Sequence, residues 1–190
     1  MQEFILKKEI ITNKIICRVL GILTFVILTA LGGFVRIPLP FTPVPLTLQT
    51  FFVLLSGAFL GRKLGGLSQI SYIFLGVLGL PIFSAAGSGL LYLTGPTGGY
   101  LIGFIAAALF LGATVKYCKN SLFLTFAAFC IADVILLCFG VAWLKVIFGL
   151  PFKQLFVIGF LPFVAGDLLK ALVASSLYLK LRPRLNEIFF

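Results

Sequence analysis

Asp167 and Lys170 stand three residues apart in "FLPFVAGDLLKALVASSLYLK", a run that is otherwise almost wholly apolar. On a helix that spacing puts both on one face. A carboxylate accepts hydrogen bonds from N–H groups, and an ammonium donates to a carbonyl. The pair can therefore read a ligand that offers both. It can equally serve as a structural ion pair that ties helices together. Charges within an apolar span are costly enough to be functional candidates by default. Asp133, in "FCIADVILLCFGVAW", is the other such acid and has no cation on its own helix. It reads as a neutral acid, as a partner of Lys170 across helices, or as part of the site.

Other chemistries find little support. The chain has no histidine, the commonest general base and metal ligand. Cys17, Cys118, Cys130 and Cys138 lie in or beside apolar runs without C-x-x-C spacing, and so read as buried thiols. "GSG" around Ser88 lacks a base to activate it. "VAGD" at Asp167 lacks the G-x-G-D pattern of intramembrane aspartyl proteases. No G-x-x-x-x-G-K-[ST] loop is present, so any ATP that drives this protein binds another chain.

The elements that must position these residues are membrane helices. Of 190 residues 61% are hydrophobic and 11% charged, against about 25% charged in an ordinary soluble domain. A crossing needs about 20 mostly apolar residues. Six runs qualify: Ile15 to Leu31, Leu46 to Leu60, Leu64 to Leu80, Gly98 to Val115, Leu122 to Trp143, and Phe156 to Leu181. The expected fold is an all-α integral membrane protein, a compact six-helix bundle forming one domain over residues 1–190. Lys7, Lys8, Lys14, Arg18, Arg62, Lys63, Lys116, Lys119, Lys180, Arg182 and Arg184 fall on one side, with only Arg36, Lys145 and Lys153 on the other. The positive-inside rule then places both termini in the cytoplasm of a multi-pass cell-membrane protein. The net charge of +10 reports this topology and implies no nucleic-acid partner.

Two long loops then fall on the outer face. The first holds Pro38, Pro40, Pro43 and Pro45, and the third reads "LPIFSAAGSGLLYLTGPTGGY" with no charge. Irregular apolar backbone at membrane depth is tolerated where it is buried in protein or lines a cavity. Prolines keep the first loop extended and remove donors that would otherwise need partners. Thr47 is placed to cap the helix that follows.

"RIPLPFTPVPLTLQTFFVLLSGAFLG", "GPTGGYLIGF" and "AGDLLKALVA" together resemble the BioY family, the biotin-specific S components of energy-coupling factor (ECF) transporters, from about Phe34 to Ser175. The resemblance implies a six-helix bundle that captures biotin from outside beneath a lid of loops 1 and 3. It also implies a transmembrane T component and two cytoplasmic ATPases as partners, with a stand-alone biotin carrier as the alternative, and no cofactor. Carried onto this chain, the family's ureido contacts fall on Asp167 and Lys170. A polar contact from loop 3 falls on Ser88, with Gly89 beside it. Thr47 and Gln49 of the P-x-P-x-T-x-Q element, Tyr100 of "GPTGGY", and the ring-covering Phe41 and Tyr92 complete the expected site. Arg36 is read as an interfacial anchor. The small-residue A-x-x-x-A motif of the first helix is only approximated, by Gly21, Ala30, Gly32 and Gly33.

Overall fold

The computed structural model describes residues 14–189, with side chains described for 14–183. Lys7, Lys8 and the side chain of Arg184 lie outside the described residues. The elements are α1 (Lys14–Phe34), β1 (Arg36–Ile37), β2 (Leu46–Thr47), α2 (Gln49–Val77), α3 (Leu90–Thr94), α4 (Gly98–Thr114), α5 (Leu122–Phe148), α6 (Phe152–Gly159) and α7 (Leu161–Phe189). Short 3₁₀ turns occupy Ser84–Ala86 and Val115–Cys118. Five helices among the described residues are long and apolar enough to cross a membrane: α1, α2, α4 with its 3₁₀ extension, α5 and α7.

The helix α2 does not run straight. Gly61 sits at φ 75, ψ 178, a backbone conformation open to glycine, and interrupts the helix there. Across this break the chain doubles back. Gln69 Nε2 donates to Ser56 Oγ at 3.0 Å, whereas 13 residues of straight helix would hold them about 20 Å apart. A Cβ at Gly65 would fall 2.8 Å from Gly57 Cα, and one at Gly57 would fall 2.5 Å from Ala108 O. Small residues thus let both arms of α2 and the backbone of α4 approach closely, as expected where helices associate in lipid.

The two long outer loops take distinct forms. The prolines lie in the connection of a two-stranded antiparallel hairpin, Arg36 opposite Thr47 and Ile37 opposite Leu46. Leu48, not Thr47, is the N-cap of α2. Thr47 lies one residue earlier in β2, where its hydroxyl accepts from Gln49 N–H at 3.4 Å. The third loop is held by Phe83, which is fully buried, 4.9 Å from the Tyr92 ring and 5.6 Å from that of Tyr72.

The last apolar run is broken where a continuous helix from Phe156 was expected. Phe160 leaves helical geometry at φ −126, separating α6 from α7. Pro162 has no N–H to offer the Ile158 carbonyl, the Phe163 N–H donates to Phe160 O at 3.1 Å, and the Gly159 carbonyl, left without that donor, accepts from Tyr100 OH at 2.7 Å.

The outside of the bundle is apolar, with Ile15, Val19, Leu23, Ile27 and Leu31 of α1 and Leu168, Leu169, Leu172 and Val173 of α7 all exposed. That surface suits a bilayer. In contrast, Gly21, Ala30, Gly32 and Gly33 are buried, so the small residues of α1 are used in packing within the bundle. The two ends also differ in charge. Arg18, Arg62, Lys63, Lys116 and Arg182 surround a hollow of about 950 Å³ at one end, while Arg36 borders the hollow between the two outer loops at the other.

Candidate functional site

The Asp167–Lys170 pair forms one side of a small cavity between the hairpin, α2, α4, α5 and α7. Lys170 Nζ donates to Asp167 Oδ1 at 2.6 Å, to Thr47 O at 2.8 Å and to Thr50 Oγ1 at 2.9 Å. All three of its protons are engaged. Thr50 Oγ1 donates in turn to Asp167 Oδ1 at 3.2 Å. Asp167 Oδ2 is buried without a hydrogen-bond partner among the described residues. The side chains are 3% and 13% exposed, so the pair is nearly dry.

The cavity is about 40 Å³, bounded by Val44, Leu46, Thr47, Gln49, Thr50, Ser84, Tyr92, Tyr100, Phe104, Leu136 and Phe163 among others, which is space for a few waters. An outer hollow of about 380 Å³ lies against it, and Pro45, Ser84, Tyr92 and Thr97 border both. Arg36 lines that outer hollow, a position consistent with more than interfacial anchoring.

The structure brings six of the residues expected from sequence to this cavity: Asp167, Lys170, Thr47, Gln49, Tyr92 and Tyr100. Four have hydroxyl or amide groups already committed to the protein. The Thr47 hydroxyl donates to Gln49 Oε1 at 3.4 Å. Gln49 Nε2 donates to Tyr72 OH, Tyr92 OH to Ser84 O at 3.1 Å, and Tyr100 OH to Gly159 O. Burial raises the Tyr92 phenol above its ordinary pKa, so that it remains a donor. Ser88, Gly89 and Phe41 are not on the wall. The Gly89 N–H donates to Gly76 O at 2.8 Å, which turns this stretch toward α2. Phe41 is 59% exposed on the proline connection.

A model of the BioY family matches residues 7–187. The chain belongs to the BioY family. It is 39% identical over 163 residues to the biotin transporter BioY of Thermotoga maritima, spanning 83% of this chain and 91% of that one. It is 39% identical over 153 residues to the probable biotin transporter BioY of Pyrococcus horikoshii, spanning 79% and 86%. A crystal structure of the S-component for biotin from an ECF-type ABC transporter matches with a TM-score of 0.84 at 25% identity, over 90% of this chain and 93% of that one. This BioY chain is accordingly a membrane transport protein and not an enzyme.

Three polar wall residues of this BioY chain, Thr50, Ser84 and Thr97, escaped the sequence reading. Thr50 stands in the first turn of α2, beyond Thr47 of β2, and its surroundings in the sequence offered no signal. Ser84 offered none either. It is 5% exposed, its Oγ has no partner among the described residues, and it borders both hollows.

Proposed function

We propose that this protein is a biotin-binding S component that takes biotin from the outer face into the cavity at Asp167 and Lys170. The observation that carries this reading is the charged pair beneath two irregular loops, with a buried, unpaired hydroxyl at Ser84 and an apolar wall. Asp167 keeps lone pairs on Oδ2 for a ureido N–H. Lys170 reaches the ureido carbonyl by releasing Thr50, whose hydroxyl keeps its bond to Asp167. Leu46, Phe104 and Phe163 cover the fused rings, and the valerate tail runs through the outer hollow to Arg36. Because the inner cavity is small, the rings enter only as the hairpin and third loop part, and their closing governs release.

The chain makes six membrane crossings in this reading, the two arms of α2 counting separately, with both termini cytoplasmic in the cell membrane. The basic hollow at one end supports that orientation. Transport inward uses a T component and two cytoplasmic ATPases, supported by the likeness to an ECF S-component and by the lack of a nucleotide loop in this sequence. The third-loop contact proposed from sequence at Ser88 moves to Ser84.

Ser84→Ala tests the site. Removing a buried, unpaired hydroxyl leaves the ligand-free protein as stable as wild type or slightly more so, whereas biotin affinity falls about two- to tenfold, the worth of one neutral hydrogen bond. Titration calorimetry beside thermal unfolding reads both quantities. Unchanged affinity would remove Ser84 from the site.

A further inference from the structure

Asp133 lies on α5, is 6% exposed, and its Oδ1 has no hydrogen-bond partner among the described residues. The same holds for Oδ2 of Asp167. Both residues face one small cavity between α5 and α7. They share the wall of this cavity, about 70 Å³ in volume, with Cys130, Val134, Leu137, Phe160, Val164, Leu168 and Ala171. Two ionised carboxylates are both acceptors and cannot bond. Lys170 offers one positive charge against two negative ones, and its three protons are already taken by Thr47, Thr50 and Asp167 Oδ1.

One proton resolves both difficulties. It turns one carboxyl group into a donor, pairs the two orphaned oxygens, and leaves the trio with Lys170 neutral. We propose that Asp133 carries this proton and donates it in a hydrogen bond to Asp167 Oδ2, acting as the positioning residue that orients the Asp167 carboxylate for a ureido ligand. The ligand half of this statement rests on the function proposed above; the shared proton does not.

The surroundings decide which acid holds it. Asp167 already accepts on its Oδ1 from an ammonium at 2.6 Å and a hydroxyl at 3.2 Å, whereas Asp133 has no ion-pair partner among the described residues. Around Asp133, α5 contributes only Cys130 as a titratable neighbour and α7 only Asp167 and Lys170. Where α6 meets α7 the cavity wall is Phe160. On α4, Tyr100 lines the inner cavity together with Asp167, but its proton is committed to Gly159 O.

Infrared spectroscopy of the ligand-free protein in detergent at neutral pH is the direct test. The carbonyl stretch of a protonated carboxylic acid is expected in wild type and absent in Asp133→Asn. Biotin titration supplies the second readout. Asp133→Asn, whose amide N–H still donates to Asp167, binds within about threefold of wild type, while the similarly sized Asp133→Leu loses at least about tenfold. Wild-type affinity falls at alkaline pH as the proton is lost, and Asp133→Asn stays flat. No such band in wild type, or a band that survives in Asp133→Asn, overturns the proposal. So does biotin affinity that depends on sodium concentration at fixed ionic strength, since a cation would then fill the proton's place. A band that behaves as expected in a protein that does not bind biotin keeps the shared proton and removes the ligand reading.

Discussion

Lys170→Met is expected to lower the stability of the ligand-free protein by about 3–5 kcal/mol, the usual consequence of stranding one member of a buried ion pair. Thermal unfolding in detergent measures it. Asp167 is 3% exposed and would lose its only ion-pair partner among the described residues, and both Thr47 O and Thr50 Oγ1 would lose a donor. The double variant Asp167→Asn/Lys170→Met separates architecture from ligand binding. With no charge left unpaired it recovers most of the stability, yet it lacks both the anionic acceptor and the cationic donor for the ureido group. Its biotin affinity should remain at least about a hundredfold below wild type, two charge-assisted hydrogen bonds being worth about 3–6 kcal/mol before coupling between them reduces the sum. Recovery of affinity together with stability would make the pair a structural tie only.

Phe83→Ala is expected to have the next largest effect, about 3–5 kcal/mol of stability for a fully buried ring. Phe83 packs between Tyr72 and Tyr92 and fills the space that a Cβ at Gly76 would need. It thereby fixes the loop that presents Ser84 and Tyr92 to the cavity. A loosened loop also releases ligand sooner, so biotin dissociation should speed up along with the loss of stability. Phe83→Leu refills much of the volume and should restore most of both. If dissociation stays at the wild-type rate in Phe83→Ala, the third loop plays no part in retention.

The charged pair was legible because an acid and a lysine at i, i+3 in an apolar run stand out against their surroundings. The apolar character of the helices was legible too: five of those described are long and apolar enough to cross a membrane, and the gap between Leu60 and Leu64 holds the break in α2 at Gly61. Hydroxyls carry no such contrast. Thr50 gains meaning only when α7 brings Lys170 to it across 120 residues. That Ser84 lines the cavity and Ser88 does not depends on how the loop turns. The turn is made by Ala85 and Ala86 at φ 62 and 57, left-handed positions where a sequence reader looks for glycine and finds it instead at Gly87 and Gly89. Tyr100 was rightly drawn to the cavity, but its hydroxyl serves the break between α6 and α7. Pro162 suits a first helical turn and marks where α7 begins, although the apolar run itself reaches back to Phe156.

Calorimetric titration of biotin into the purified chain alone, in detergent and without partner subunits, tests the central claim most directly. Binding to one saturable site is expected in wild type, with at least about a hundredfold weaker binding in the folded Asp167→Asn/Lys170→Met variant. No heat from wild type, or equal affinity in the two proteins at equal thermal stability, would contradict the assignment of the Asp167–Lys170 cavity as the biotin site.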